Sequence, residues 1–267
     1  MFNLRARRGE LARRVHLPRG VQSDRLFLNP LSAAWDLGPF RLLAESRAAD
    51  GGLGGDFHAF RMRGAKRLAV VIGDACGRGA AAATMLPRVL ARLEQSVSST
   101  EGPSQLLREL NRRLVGELSS DRFVTGAAFE IDAQAGTLTV ANAGHVPGVL
   151  RRASGEVTII GRASGPPLGI MEASSYFDES YRFGRGDVLV LMTDGVVEAV
   201  ETDLAEMPTV TALVAQGLCD SKSVHRHLLS QLTARQPVRD ADDMTLLSLE
   251  LLPQSGSWNL AGYQQTI

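Results

Sequence analysis

Short strand-like segments joined by short links are the strongest restriction that this sequence places on its own fold. Four of them follow one another at residues 125–131, 137–142, 147–152 and 156–160, and the links contain turn formers such as Gly136 and Gly155. A parallel connection needs a crossover of about a dozen residues or more, so links this short require antiparallel pairing. We therefore predict an antiparallel meander in this part of the chain.

Strand and helix patterns elsewhere place this meander in an α+β fold. Further strands are predicted at 40–46, 57–62, 67–72, 176–183, 188–192 and 245–251. Residues 79–95 have the composition of a helix, which Pro87 is expected to kink. A second helix begins at Pro103 and places five leucines on one face, namely Leu106, Leu107, Leu110, Leu114 and Leu118. Weaker helical patterns cover 210–218 and 224–233. Hairpin strands with helices inserted in pairs favour α+β over a doubly wound parallel sheet.

The composition limits the class of protein and its partners. The chain has 267 residues, 44% of them hydrophobic, which is enough for the core of one large domain. Acidic and basic residues balance at 29 each, so no overall field favours nucleic acid or an anionic membrane as a partner. The two cysteines form no disulfide framework, and neither a secretory signal nor an apolar membrane segment is visible. These features predict a soluble, cytoplasmic protein.

Three segments are predicted along the chain. Residues 1–37 form an N-terminal segment with seven arginines before residue 26 against Glu10 and Asp24, and residues 1–20 are predicted to form a short helix. We interpret this segment as a solvated helix or tail, with a docking surface as the alternative. Residues 38–252 form the main domain, and residues 253–267 form a loosely held tail.

Acidic residues stand at the ends of several predicted strands. Asp56 precedes one strand, Asp74 and Asp194 each follow an apolar run, and Asp242 and Asp243 come immediately before the last strand. If these strand ends meet, the carboxylates repel one another and their pKa values rise, an effect that divalent cations offset. Oxygen ligands suit Mg²⁺ and Mn²⁺, and no Cys/His cluster with zinc spacing is present.

The neighbouring glycines let a backbone carbonyl, such as that of Ala75, join the ligands. Two ions at such a site could activate water and clamp a phosphoryl group, so that hydrolysis needs no protein nucleophile. Asp beside Gly at a strand end is also common turn chemistry, and the spacing by itself leaves both interpretations open.

Seven motifs in order resemble the metal-dependent protein phosphatases (PPM, protein phosphatase 2C-like), and specifically their bacterial SpoIIE-type branch. They are GGDF at 54–57, VIGDACGRG at 71–79, ANAGHVP at 141–147, GPPLG at 165–169, GD at 186–187, TDGVVEA at 193–199 and DDMTL at 242–246. The resemblance covers about residues 38–251. It implies a four-layer αββα sandwich of two antiparallel sheets flanked by helices, with two Mn²⁺ or Mg²⁺ ions at one end.

The resemblance also assigns roles to the acidic residues. It implies that Asp74 bridges both metals, that Ala75 contributes its backbone carbonyl, and that Asp194 and Asp242 are further ligands. Asp56 is similar to the family's first acidic residue, which binds metal directly or through water. Asp243 stands where the family often has Asn, so we rank it below Asp242. The implied catalytic set is Asp56, Asp74, Asp194 and Asp242.

The activity implied by the resemblance is hydrolysis of phosphoserine or phosphothreonine on a regulatory protein, for example an anti-sigma factor antagonist. A separate sensor or activator protein is a further expected partner, because no sensor domain precedes the catalytic segment. Pro87 interrupts the helix after the Asp74 motif, which puts the branch's helix-relayed control in doubt. The alternative is a catalytically silent regulatory module that binds a phosphoprotein through the same fold.

Other reactive residues are assigned structural roles. Cys76 is interpreted as a residue lining a turn, because a tyrosine-phosphatase mechanism needs Arg six positions on, where Ala82 stands. His145 could act as a general acid, but a loop role is favoured because no carboxylate partner is visible. His58 is predicted to point into solvent. Arg78 either stabilises a phosphate or starts a helix. No Walker A or Rossmann fingerprint is present, so no nucleotide cofactor is predicted.

Overall fold

Two β-sheets packed face to face form the centre of the protein in a computed structural model. The structure describes residues 14–16, 26–28, 32–49, 54–77, 80–119, 121–200, 207–217, 220–234 and 242–252, with the backbone alone at 14–16 and 80–83. Within these residues one sheet has seven strands, in the spatial order β1 (Arg14–His16), β3 (Ala33–Leu37), β4 (Phe40–Arg47), β13 (Met244–Leu251), β12 (Val188–Met192), β9 (Gly148–Arg151) and β10 (Val157–Ile160). The other has six, in the order β11 (Glu179–Arg182), β8 (Thr137–Ala143), β7 (Val124–Asp132), β6 (Arg67–Ala75), β5 (Asp56–Arg63) and β2 (Leu26–Leu28).

Helices cover the outer face of each sheet. The described helices are α1 (Ala80–Ser99), α2 (Pro103–Leu114), α3 (Asp194–Glu198), α4 (Pro208–Gln216) and α5 (Ser221–Ala234). The first two pack on the six-stranded sheet, and the other three pack on the seven-stranded sheet. In the part of the chain that the structure describes, no helix is long and apolar enough to cross a membrane.

Side-chain alternation along the strands separates an inner core from two outer cores. Phe60 of β5 and Leu247 of β13 point into the space between the sheets, where they belong to one buried cluster. Phe57, on the opposite face of β5, packs with α1 and α2, and Val190 of β12 packs with α4 and α5. The four layers are therefore helix, sheet, sheet and helix, as the family resemblance implied.

The predicted meander over residues 125–160 is wrong in one respect. β7 pairs with β8 and β9 pairs with β10, but the two hairpins belong to different sheets. The link between β8 and β9 carries the chain from one sheet to the other. Asn142 holds this link, because its amide donates to the His145 carbonyl at 2.9 Å and its Oδ1 accepts from the His145 backbone N–H at 2.7 Å.

Most other predicted elements are present with ends shifted by a few residues. The strand predicted at 176–183 is shorter, since only Glu179–Arg182 pairs, and α3 was not predicted. α1 continues on both sides of Pro87. Four of the five predicted leucines line the buried face of α2, whereas Leu118 lies beyond the helix end and is partly buried in the same cluster.

The N-terminal segment contributes strands instead of the predicted helix where it is described. Arg14–His16 forms β1, which pairs parallel with β3, and Leu26–Leu28 pairs with β5. β3 pairs antiparallel with β4. Strands from the segment 1–37 therefore extend both sheets, because edge strands leave backbone groups open to further pairing. The remainder of the predicted helix and the tail 253–267 lie outside the described residues.

Candidate functional site

Two of the predicted acidic residues face each other on adjacent strands of the six-stranded sheet. Asp56 opens β5, Asp74 lies near the end of β6, and the antiparallel register pairs these two residues directly. Both are an even number of positions from inward-facing residues of their strands, such as Phe60 and Ile72. Their side chains are therefore on the inner face, at one end of the space between the sheets.

The seven-stranded sheet brings its acidic residues to the same end. β12 ends at Met192 and is followed by Thr193 and Asp194, the first residue of α3. β13 begins at Met244, directly after Asp242 and Asp243, and Met192 pairs with Leu246. The Thr193 backbone N–H continues this ladder by donating to the Thr245 carbonyl at 3.0 Å.

A chain of hydroxyl groups connects Asp56 to the opposite sheet. The Thr193 hydroxyl donates to Oδ2 of Asp56 at 2.7 Å and accepts from the Thr245 backbone N–H at 2.9 Å. The Thr245 hydroxyl in turn bonds the Ser46 hydroxyl at 3.1 Å. Burial raises the pKa of Asp56 well above its ordinary value; the bond from Thr193 opposes the shift, and the charge of Asp74 adds to it.

Asp74 of the six-stranded sheet interacts with carboxylates that belong to the seven-stranded sheet. Burial raises the pKa of Asp74 to about 7, with further contributions from the charges of Asp194, Asp242 and Asp243. Three of the interacting carboxylates thus come from the other sheet. A group of like charges with this much mutual repulsion is stabilised by a bound cation.

Asp243 uses both of its oxygens to hold backbone. Its Oδ1 accepts from the Ala49 N–H at 2.8 Å, and its Oδ2 accepts from the Gly55 N–H at 2.7 Å. These bonds tie the end of β13 to the chain on either side of residues 50–53, which lie outside the described residues. They favour a positioning role and agree with the lower rank of Asp243 as a ligand.

Two glycines of the motifs permit close approaches around these carboxylates. A Cβ atom at Gly55 would stand 2.5 Å from Oδ1 of Asp74 and 2.6 Å from the Ala75 carbonyl oxygen. A Cβ at Gly195 would stand 2.1 Å from the Asp243 carbonyl oxygen. Side chains at either position would push apart the strand ends that carry the acidic groups.

The donor set fits a hard divalent cation, although the described residues are not preassembled around one. All the candidate donors are oxygens, namely the carboxylates of Asp56, Asp74, Asp194 and Asp242 and the carbonyl of Ala75. Burial raises the pKa of Asp74, and the charges of Asp194 and Asp242 raise it further. Within the described residues, no group of three or more His, Cys, Asp or Glu side chains is arranged to hold a metal ion. The types of ligand atom and their negative charge therefore suit a divalent cation, but the side chains must change position to bind it.

His145 does not supply acid–base chemistry at this site. His145 is buried, its Nδ1 lies 3.1 Å from the Thr125 hydroxyl, and burial lowers its pKa to about 4. It is therefore neutral near pH 7, as expected for a structural loop residue and not for a general acid. His58 was predicted to face solvent, and this is wrong: it is fully buried on the inner face of β5, because its position in the alternation matches that of Phe60.

Cys76 lies at the turn that follows Asp74 and Ala75. It is half-buried, and its Sγ accepts a hydrogen bond from the Phe123 backbone N–H at 3.1 Å. This contact agrees with its assignment as a turn residue. Arg78, which follows it, lies outside the described residues.

The sequence analysis missed the hydroxyl chain of Thr193, Thr245 and Ser46. A signal was present, because each of these residues occupies an inward position in a strand whose other inward positions are apolar, such as Leu191 before Thr193. A polar residue in that series is buried and needs a partner. The identity of the partner, Asp56, depends on how the two sheets face each other.

Comparison with known proteins agrees with this geometry. The family model for stage II sporulation protein E (SpoIIE) matches residues 64–252. Phosphoserine phosphatase RsbU of Bacillus subtilis is 25% identical over 249 residues, which are 92% of this chain and 72% of RsbU. The structure of the PP2C phosphatase domain of SpoIIE from Bacillus subtilis, with a fragment of its regulatory domain, matches with a TM-score of 0.67 at 21% identity, over 87% of this chain and 65% of that chain.

A more distant match was solved with metal. The catalytic domain of the serine/threonine protein phosphatase PstP, in complex with two manganese ions, matches with a TM-score of 0.57 at 18% identity, over 80% of this chain and 99% of that chain. The fold is that of PP2C-type phosphatase domains. Within that class the chain belongs to the SpoIIE family. The predicted family, fold and enzyme class, a protein-serine/threonine phosphatase, are confirmed.

Proposed function

We propose that this protein removes phosphate from phosphoserine or phosphothreonine on a regulatory protein, in a reaction that depends on two divalent cations. The observation that carries the proposal is the meeting of Asp56 and Asp74 from one sheet with Asp194 and Asp242 from the other. Burial raises the pKa of Asp74 to about 7, and the charges of Asp194 and Asp242 add to the shift. A buried carboxylate close to other carboxylates reduces stability, and such groups occur most often at functional sites.

The residues that would hold the ions are proposed from the family resemblance. Asp74 would bridge the two ions, the Ala75 carbonyl, Asp194 and Asp242 would complete the ligands, and Asp56 would bind directly or through water. Mn²⁺ and Mg²⁺ both suit such ligands. When bound, the ions supply the chemistry of the reaction by activating water and orienting the phosphoryl group.

The chain itself positions these groups. Thr193 orients Asp56 through the 2.7 Å bond to Oδ2, and Asp243 holds the Gly55 backbone beside Asp74. His145, neutral near pH 7, carries no proton to the leaving group. We therefore assign to water the proton that the leaving serine or threonine oxygen takes up, in a hydrolysis without a protein nucleophile.

The substrate class comes from kinship. RsbU is named a phosphoserine phosphatase, and it aligns with 92% of this chain. We propose a phosphorylated regulatory protein as substrate, for example an anti-sigma factor antagonist, and a separate sensor or activator protein as a second partner. The match covers 72% of RsbU, and the proposed partners are those expected for this matched region.

The test is hydrolysis by the purified protein with and without metal. We expect Mn²⁺-dependent release of phosphate from a phosphoserine protein and from p-nitrophenyl phosphate, and a loss of about a hundredfold or more in Asp74→Asn. Glu156→Gln is the matched control, since Glu156 is exposed in the β9–β10 turn and its loss removes the same charge. Wild-type turnover that is indifferent both to chelator and to Asp74→Asn would refute the proposal.

A catalytically silent module that binds a phosphoprotein is the second candidate. It is favoured by one observation, the absence within the described residues of a preassembled group of metal ligands. Calorimetry separates the two functions. An enzyme binds Mn²⁺ and loses that binding in Asp74→Asn, whereas a silent module binds its phosphoprotein equally well in chelator and shows no turnover.

A further inference from the structure

A groove runs along the outer surface of the six-stranded sheet's helical layer, beside the candidate metal site. It has a volume of about 290 Å³ and lies between α1 and the connection from α2 to β7. The α1 wall is formed by Thr84, Met85 and Arg88. The facing wall includes Glu117, Leu118 and Arg122. We call it the Arg88–Arg122 groove.

One end of the groove adjoins the strand end that carries Asp74. Nη1 of Arg122 lies 3.5 Å from the Cys76 carbonyl oxygen. The neighbouring Phe123 carbonyl accepts from the Cys76 backbone N–H at 3.1 Å. Cys76 directly follows Asp74 and Ala75 in the chain, so a polypeptide bound at the carboxylates needs only a few residues to reach Arg122.

Two guanidinium groups in this groove are open to an anionic ligand. Arg88 is exposed, and within the described part of the chain it forms no hydrogen bond or ion pair. The carboxylate near Arg122 is that of Asp121, at 3.8 Å and with a side chain 75% exposed, which makes a weak pair.

The acidic residue of the groove is already neutralised. Arg92 donates to both carboxylate oxygens of Glu117, through Nε at 3.0 Å and through Nη2. A bidentate pair of this kind leaves little charge to repel an anion. The groove therefore has a positive character from Arg88 and Arg122, although the chain as a whole is neutral.

Part of the groove lining is apolar, because Met85 and Leu118 belong to it. Leu118 lies against Gly169, where a Cβ atom would stand 2.7 Å from Leu118 Cδ1. Apolar and cationic surface together suit a protein segment with acidic side chains better than a free inorganic ion.

We propose that the Arg88–Arg122 groove binds the acidic residues that flank the phosphorylated serine of the protein substrate, and that Arg88 and Arg122 select for them. The inference rests on the proposed function, which places the phosphoserine at the neighbouring carboxylates. Arginine is suited to this role because its planar fork donates two parallel hydrogen bonds to a carboxylate. The groove adds substrate choice to a site whose metal chemistry is itself indifferent to the peptide.

The kinetic test uses two synthetic phosphoserine peptides that differ only in carrying Glu or Lys on both sides of the phosphoserine. We expect wild-type kcat/KM to favour the Glu peptide by about tenfold or more, and the ratio to fall to about one in the Arg88→Glu/Arg122→Glu double variant. The ratio is measured on one enzyme at a time, so a general loss of activity cancels. Arg88→Glu alone, at an exposed position, keeps the test valid if the double variant does not fold.

Arg226→Glu is the matched control. Arg226 is exposed on α5, which packs on the other sheet, so the same change in charge at that position is expected to leave the ratio as in the wild type. A wild-type enzyme that hydrolyses both peptides equally well overturns the inference and leaves the proposed function standing. A fall in the ratio for Arg226→Glu as large as that for the groove variants also overturns it.

A binding test decides the inference when turnover is absent. The same two peptides, fluorescently labelled, are titrated with wild-type protein in EDTA and followed by anisotropy. Tighter binding of the Glu peptide, lost in Arg88→Glu/Arg122→Glu, supports the groove even if neither peptide nor p-nitrophenyl phosphate is hydrolysed with Mn²⁺, a result that refutes the proposed function alone. Equal affinities without turnover, including no binding of either peptide, overturn both proposals.

Discussion

The ionised carboxylate of Asp74 is expected to lower the stability of the metal-free protein and is also the proposed metal ligand. Its carboxylate is half-buried beside three others, and the result is a pKa of about 7. The folded, metal-free protein is more stable when this carboxyl group is protonated, whereas binding of a cation is expected to require the ionised form. Removal of that charge should therefore stabilise the metal-free protein while it removes the metal site.

Asp74→Asn should raise the free energy of unfolding of the metal-free protein by about 2 kcal/mol at pH 8. The folded pKa lies above the unfolded value, so the folded state binds the extra proton between about pH 4 and pH 7. The contribution of the Asp74 carboxyl to the free energy of unfolding is therefore greatest below this pH range and is lost as the pH rises through it. Urea unfolding in EDTA at pH 8 and pH 5 should show a larger gain at pH 8.

The same measurement with Mn²⁺ should reverse the order, because only the wild type gains stability from the ion. Glu156→Gln, which removes an exposed charge, should change the free energy of unfolding by less than about 0.5 kcal/mol at either pH. An Asp74→Asn protein that is less stable than the wild type in EDTA at pH 8 would contradict the electrostatic account of this site.

Gly55 is a second residue whose identity the site requires. In Gly55→Ala the new Cβ meets Oδ1 of Asp74 and the backbone carbonyl of Ala75 at 2.5 and 2.6 Å, and the carbonyl belongs to a paired strand that cannot easily move. We expect Mn²⁺-dependent activity to fall by about tenfold or more and stability by about 1–3 kcal/mol. Phosphate release and urea unfolding measure the two effects.

Gly184→Ala is the control for this substitution. A Cβ at Gly184 meets nothing within 4 Å, so the variant should keep the activity and stability of the wild type. If Gly55→Ala behaves like Gly184→Ala, the close packing of Gly55 against the carboxylates has no bearing on the site.

At the scale of elements, the site depends on how β5 and β12 are held to each other across the space between the sheets. Asp56 and Thr193 are 137 residues apart in sequence and are joined by one hydrogen bond of 2.7 Å. Both groups are buried, so the bond is shielded from water and its loss leaves a buried carboxyl with fewer partners.

Thr193→Val should reduce the free energy of unfolding by about 2 kcal/mol, since valine keeps the shape of threonine and removes the hydroxyl that bonds both Asp56 and the Thr245 N–H. Mn²⁺-dependent turnover should fall with it, because Asp56 loses the group that orients it. Urea unfolding and phosphate release provide the readouts.

Thr158→Val is the matched change on exposed β10 and should alter stability by no more than about 0.5 kcal/mol. The coupling is tested in an Asp56→Asn background. Equal losses from Thr193→Val in both backgrounds would show that the hydroxyl acts independently of the carboxylate.

At the scale of the whole molecule, local patterns predicted elements well and their assembly less well. β6 and β12 were found because each contains an apolar run of strand length, and α2 was found because its leucines share a face. The same method joined β8 and β9 into one meander, whereas they belong to different sheets. A short link permits both arrangements, and Asn142 selects one through bonds that the spacing of residues does not show.

The strands of the N-terminal segment illustrate a second limit. β2 and β3 are short, and what holds them is pairing with β5 and β4. Strand formation depends on such partners more than on intrinsic preference, so a short segment of mixed composition carries little signal by itself.

For the acidic residues too, some properties could be predicted from the local sequence and others depend on the tertiary structure. The sequence alone showed that each carboxylate stands where a predicted strand begins or ends, because this property depends on neighbours within a few residues. Only the tertiary structure decided that Asp56 meets Thr193 and that Asp243 holds Ala49 and Gly55. It also decided that burial, together with carboxylates from the other sheet, raises the pKa of Asp74. These contacts arise from the packing of two sheets across more than a hundred residues of chain, and the free energy of that packing is not encoded in any local pattern.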